Sequence, residues 1–143
     1  MTKRRLERII QVKERIRGVR RSELETADEE LARAAEAASE AGKIHDGAIG
    51  SLTRAGQITA EDLARQAAVV ALAAKVATEA NGTLEVRKVE REERAATVFD
   101  ATRDVRALEI LHQRMGRAEQ KEERKKEQGA TDEAAGRMVR VVR

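Results

Sequence analysis

The sequence predicts an all-α protein, a long antiparallel two-helix coiled-coil hairpin, and three observations carry that prediction. None of the 143 residues is proline, where typical usage would supply about 5%. Proline removes a backbone donor and clashes with the preceding helical turn, so its absence permits long uninterrupted helices. Phe99 is the one aromatic residue, which leaves little material for a bulky globular core, because aromatics supply much of the buried area there. The apolar residues make up 41% of the chain and are chiefly Ala, Leu, Val and Ile, which suits thin seams between helices. One coiled-coil domain is expected over residues 1–143, elongated, with helix one over about 2–46, a turn over about 47–58 and helix two over about 60–138.

In helix one, Ile9, Val12, Ile16 and Val19 follow alternating steps of three and four, the spacing that keeps one helical face apolar. The alternation resumes at Leu24, Ala27, Leu31, Ala34, Ala38 and Ala41. Between Val19 and Leu24 the step is five, which predicts a local change in the winding of the seam. Glycines recur at 42, 47, 50 and 56. Each costs about 1 kcal/mol in a helix interior, which places the turn there. Thr59 and Asp62 have the spacing of an N-terminal capping box, with Asp in the place of Glu, so helix two should begin near Ala60.

Helix two carries Leu63, Ala67, Val70, Ala74 and Ala77 in heptad spacing, then Val98, Ala101, Val105, Leu108, Leu111, Met115 and Ala118. Between these stripes Asn81-Gly82 is a turn-forming dipeptide, read either as a kink in one long helix or as a break that makes three helices. Glu119 to Glu127 contains no apolar residue, and Met138, Val139, Val141 and Val142 form a small apolar patch near the end. Two registers are open. A turn near residues 51–56 pairs helix one with about 58–105 and leaves the Val105–Met115 stripe on an overhang of roughly 50 Å. A folded tip over residues 43–82 instead sets Ile16 and Val19 against Leu111 and Leu108.

The chemistry-bearing motifs are missing. Gly42-Lys43 is followed by Ile44 and lacks the upstream glycine of a phosphate-binding loop. His45 and His112 lie far apart without the spacing of a zinc site, and are read as solvent-facing or seam-edge imidazoles. No cysteine is present, and the serines lack a nucleophile-elbow pattern. The carboxylates sit on charged helical faces, where ion pairs one turn apart account for them. The expectation is a protein that is not an enzyme and needs no cofactor or metal. No apolar run approaches the roughly 18 residues of a membrane span, and no apolar signal-peptide core follows the basic start. Charge is distributed in blocks. Lys3, Arg4, Arg5, Arg8, Lys13, Arg15, Arg17, Arg20 and Arg21 stand against Glu7 and Glu14, whereas acidic residues dominate from Ser22 to Asp46. Arg137, Arg140 and Arg143 make the other terminus basic, so an antiparallel hairpin gathers positive charge at one end, suited to an acidic partner surface.

The run Arg103 to Arg114 (RDVRALEILHQR), followed by Glu122, Arg124, Glu127-Gln128 and Asp132-Glu133-Ala134, resembles the FliJ family of flagellar export proteins and their virulence counterparts, YscO. The opening Arg5-Leu6-Glu7-Arg8-Ile9-Ile10 is similar too. Where that family usually has a lysine and an apolar residue before Asp-Glu, this chain has Gly129-Ala130-Thr131. The resemblance implies a central stalk of a bacterial type III export apparatus, cytoplasmic and peripheral to the inner membrane. Such a stalk inserts into a hexameric export ATPase ring, links it to the membrane export gate and escorts export chaperones. Carried onto this chain, it implies ring contacts at Arg5, Arg8, Leu108, Leu111, Arg114, Glu127, Gln128, Asp132 and Glu133. By position alone it implies gate contacts at Leu63, Val70, Ala74 and Ala77. Neither nucleic-acid binding nor direct membrane insertion is expected. The alternatives are a generic coiled-coil scaffold or self-associating structural protein and, through the basic stretch at residues 3–21, a nonspecific nucleic-acid binder.

Overall fold

The computed structural model describes residues 1–142, which form two helices packed against each other as a hairpin: α1 (Lys3–Arg54) and α2 (Ala60–Val142). Helix α1 runs eight residues beyond its expected end at 46, and the connection shrinks from 47–58 to residues 55–59. Gly42, Gly47 and Gly50 are helical because the packed face continues past them through His45, Ala48 and Leu52, all half-buried. Tertiary packing of that face outweighs glycine's entropic cost. At the end of α1, Thr53 Oγ1 and Arg54 Nε both donate to the Gly50 carbonyl, each at 3.1 Å. Helix α2 begins where the cap predicts: Asp62 N–H donates to Thr59 Oγ1 at 3.1 Å. Glu61 and Asp62 place negative charge against the positive end of the helix dipole.

Helix α2 passes through Asn81-Gly82 without interruption, so neither a break nor a third helix forms there, and it extends beyond 138 to Val142. The dipeptide is tolerated because both residues are exposed, while Ala80 and Leu84, which bracket it, face α1. Among the described residues none has a left-handed backbone.

The seam differs from expectation in its first third. Its least exposed positions on α1 are Leu6, Ile10, Lys13, Arg17, Arg20, Leu24 and Ala27, continuing through Leu31, Ala34, Ala38 and Ala41. Steps of three and four alternate along this row without a fault, so the five-residue step after Val19 does not exist. Val12, Ile16 and Val19 lie beside the seam and are 54%, 40% and 57% exposed. On α2 the matching row runs Gln66, Val70, Ala73, Ala77, Ala80, Leu84, Arg87 and Arg91, then Val98, Ala101, Val105, Leu108, His112 and Met115. Leu63 and Ala67, expected in it, are exposed.

Contacts group the chain into two units, residues 1–17 with 100–142, and residues 18–99. In the second, the core is alanine: Ala27, Ala34, Ala38 and Ala41 from α1 and Ala73 and Ala77 from α2. Above it, Arg87 Nη1 meets Glu30 at 3.0 Å and Glu90 at 2.8 Å, Arg91 Nε meets Asp28 at 2.9 Å and Arg94 Nη1 meets Glu23 at 3.5 Å. The guanidiniums of Arg87 and Arg91 are held more firmly protonated than usual, the first chiefly by its hydrogen bond to Glu90 and then by the charge of Glu30, the second by its bond to Asp28. One flaw remains near the turn, where the Gln66 Oε1 atom is buried without a hydrogen-bond partner.

Two stability measurements check this arrangement. Ala at Gly47 or Gly82 meets no heavy atom within 4 Å, so Gly47→Ala and Gly82→Ala should each stabilise the fold by about 0.5–1 kcal/mol in urea titration; a glycine placed in a turn would give no such gain. Gln66→Leu, which removes the orphaned oxygen, should stabilise by about 1 kcal/mol.

Candidate functional site

The terminal unit (residues 1–17 and 100–142) is where the sequence places most of its partner contacts. Its anchor is a pair of aliphatic side chains, Leu6 from α1 and Val105 from α2, both 0% exposed and the most deeply buried in the described chain. Around them polar contacts tie the helices: Lys3 Nζ to Glu119 Oε2 at 3.4 Å, Glu7 Oε1 to His112 Nε2 at 3.1 Å and Lys13 Nζ to Asp104 Oδ2 at 4.0 Å. These pairs run antiparallel, so the first turn of α1 lies level with Glu119. His112 occupies a seam position, four residues after Leu108, with Glu109 and Gln113 beside it along the same groove as Glu7, Ile10 and Gln11.

This register corrects the expected overhang. The stripe from Val105 to Met115 is not free: Val105 is fully buried, Leu108, His112 and Met115 are half-buried, and Leu111 alone of the apolar residues in that stripe is exposed, at 42%. Nor do Ile16 and Val19 pack on Leu111 and Leu108, since both stand outside the seam. The unpaired part of α2 begins later. Every residue from 117 to 142 is exposed, and past the Lys3–Glu119 contact residues 120–142 make about 35 Å of unpaired helix at 1.5 Å per residue.

The expected ring contacts divide accordingly. Arg5, Arg8 and Arg114 are exposed on the paired part of the unit, Leu108 is committed to the seam, and Glu127, Gln128, Asp132 and Glu133 all lie on the unpaired stretch. Past Glu119 the seam positions of α2 are Glu122, Lys126, Gly129, Glu133 and Gly136, so no apolar row continues from the packed helix into the extension. Of the expected gate contacts, Leu63 is 48% exposed, Val70 and Ala74 are half-buried, and Ala77 is buried beneath α1 and offers no surface to another molecule. The cross-helix polar set of Lys3, Glu7, Lys13, Asp104, His112 and Glu119 was not singled out from sequence. Its signal is the 3–4 row itself, which reaches Lys13 and His112 once Leu6 and Val105 are taken as its origin.

Chemically, the unit presents charge and helix surface. Among the described residues no group of His, Asp and Glu is arranged to hold a metal ion, and no helix is long and apolar enough to cross a membrane. Val105→Asp, which buries an unpaired carboxylate, should abolish amide-exchange protection over 3–17 and 100–116 and leave 18–99 protected. Leu111→Asp should leave both regions protected.

Comparison with known proteins finds no family model, no curated protein and no solved structure that matches this chain.

Proposed function

We propose that this chain is a non-enzymatic stalk of a bacterial type III export apparatus, working on the cytoplasmic side of the inner membrane. It enters a hexameric export ATPase, couples it to the membrane export gate and receives export chaperones. The observation that carries this reading is the unpaired end of α2: residues 120–142 are helical and exposed, charged over most of their length, with large apolar side chains only at Met138, Val139, Val141 and Val142. They also hold Glu127-Gln128 and Asp132-Glu133, the pairs through which the sequence resembles FliJ and YscO. A charged helix that nothing in the chain covers is suited to being gripped by a polar ring lumen. Any change in ATP turnover would follow from unequal affinity for different states of the ring, since equal affinity shifts nothing.

The decisive comparison is between the full chain and a chain ending at Gln120, which keeps the Lys3–Glu119 pair and loses only exposed residues. The full chain should co-purify with its cognate export ATPase and raise ATP turnover at micromolar concentration. The shortened chain should keep its helicity per residue and lose both effects. A full chain that neither binds nor stimulates the ATPase would remove the proposal.

A further inference from the structure

Two rows of exposed aliphatic side chains flank the seam, one on each helix. On α1, Ile9 is half-buried while Val12 and Ile16 are 54% and 40% exposed; on α2, Val69, Leu72 and Val76 are 59%, 64% and 48% exposed. Both rows are spaced by alternating threes and fours, the pattern that lets one helix seat on another. Each row also ends in a charge. Arg5 stands four residues before Ile9, and Glu79 stands three after Val76. Among the described residues neither has an ion-pair partner.

We propose that the α1 row of one copy of this chain packs antiparallel on the α2 row of a second copy, setting Arg5 against Glu79. In that alignment Ile9 meets Val76, Val12 meets Leu72 and Ile16 meets Val69, each step of three on one helix answered by a step of four on the other. Val19 then falls on the aliphatic stem of Arg65, whose guanidinium is held by Glu61 at 3.2 Å. The parallel alignment matches the aliphatic residues equally well but sets Arg5 against Arg65 and Val19 against Glu79. Charge therefore selects the antiparallel contact, as flanking charges do in coiled coils. The same complementarity favours a second copy over an anionic lipid surface, which would satisfy Arg5 and leave the row ending in Glu79 uncovered. The contact uses none of residues 120–142, on which the function proposed above rests, although Arg5 is also one of the ring contacts that the resemblance implies. Because the two rows are different surfaces, the contact either reciprocates in a closed pair or adds copies head to tail.

Sedimentation of the full chain, with and without vesicles of phosphatidylglycerol, tests this. The wild type should be monomeric when dilute and grow in mass with concentration. Val12→Asp and Leu72→Asp, both at exposed positions, should keep wild-type helicity and remain monomeric. Arg5→Glu or Glu79→Arg alone should weaken association about two- to five-fold, the range of an exposed ion pair. The double variant carrying both changes should recover it. A wild type still monomeric at about 1 mM would overturn the proposal, as would association that survives Val12→Asp and Leu72→Asp. Monomers that sediment only with the vesicles would replace the second copy by a lipid surface. Should an aspartate variant lose helicity, the charge exchange still decides, because failure of the double variant to recover association refutes the Arg5–Glu79 pairing.

Discussion

An alanine seam brings two backbones close but does little to choose their alignment, and in this chain charge makes the choice. Ala27, Ala34, Ala38 and Ala41 would pack about as well against Ala73 and Ala77 after a slip of one heptad. The ion pairs would not survive it. Glu23, Asp28 and Glu30 on α1 stand against Arg94, Arg91 and Arg87 on α2, in the reversed order that an antiparallel pair requires. Each is a solvated pair of small individual worth, and their value lies in specifying one register among near-equals. Toward the termini the signs exchange, with lysines on α1 and carboxylates on α2, so Lys3 and Lys13 find Glu119 and Asp104. Pairing between the helices thereby uses part of the block pattern of charge, Glu23, Asp28 and Glu30 of the acidic block and Lys3 and Lys13 of the basic one.

Keeping the register has a cost in the first third of α1. To stay in step with Leu6 and Leu24, the seam must pass through Lys13, Arg17 and Arg20, whose stems cover apolar surface while their charges reach water. The aliphatic side chains one position away, Val12, Ile16 and Val19, are turned outward. A chain selected only for hairpin stability would have placed them inward. Leu6 and Val105, the only fully buried large side chains among the described residues, stand where this arrangement still leaves room for an apolar contact.

Much of the fold was legible because helix-forming signals are local. Missing proline, heptad spacing from Leu24 to Ala41 and the Thr59 cap each act within a few residues and point to the same hairpin. What failed were judgements in which a local penalty met a distant partner. Gly47 and Gly50 weaken a helix in isolation, yet α1 continues because His45, Ala48 and Leu52 still have α2 to pack on. Asn81-Gly82 suggests a turn, yet Ala80 and Leu84 hold α2 straight through it. The row Ile9, Val12, Ile16, Val19 has faultless apolar spacing and is still not the seam, because hydrophobic spacing is a property of one helix while burial is decided by two. Of the candidate site, the free end of α2 was anticipated in kind but placed too early, since the charge pairs that carry α1 up to Glu119 only become visible once both strands of the hairpin are in register.

The extension from residue 120 onward lives by its own backbone hydrogen bonds. Isolated helices of that length are marginal in water, and with no packed neighbour its opening free energy sits near the low end of the molecule's range. A receptor that grips it must therefore supply the ordering entropy from its own binding energy, which lowers affinity without lowering selectivity. On the stalk function proposed above, such a handle would be held loosely and released quickly, properties that suit repeated engagement better than permanent assembly.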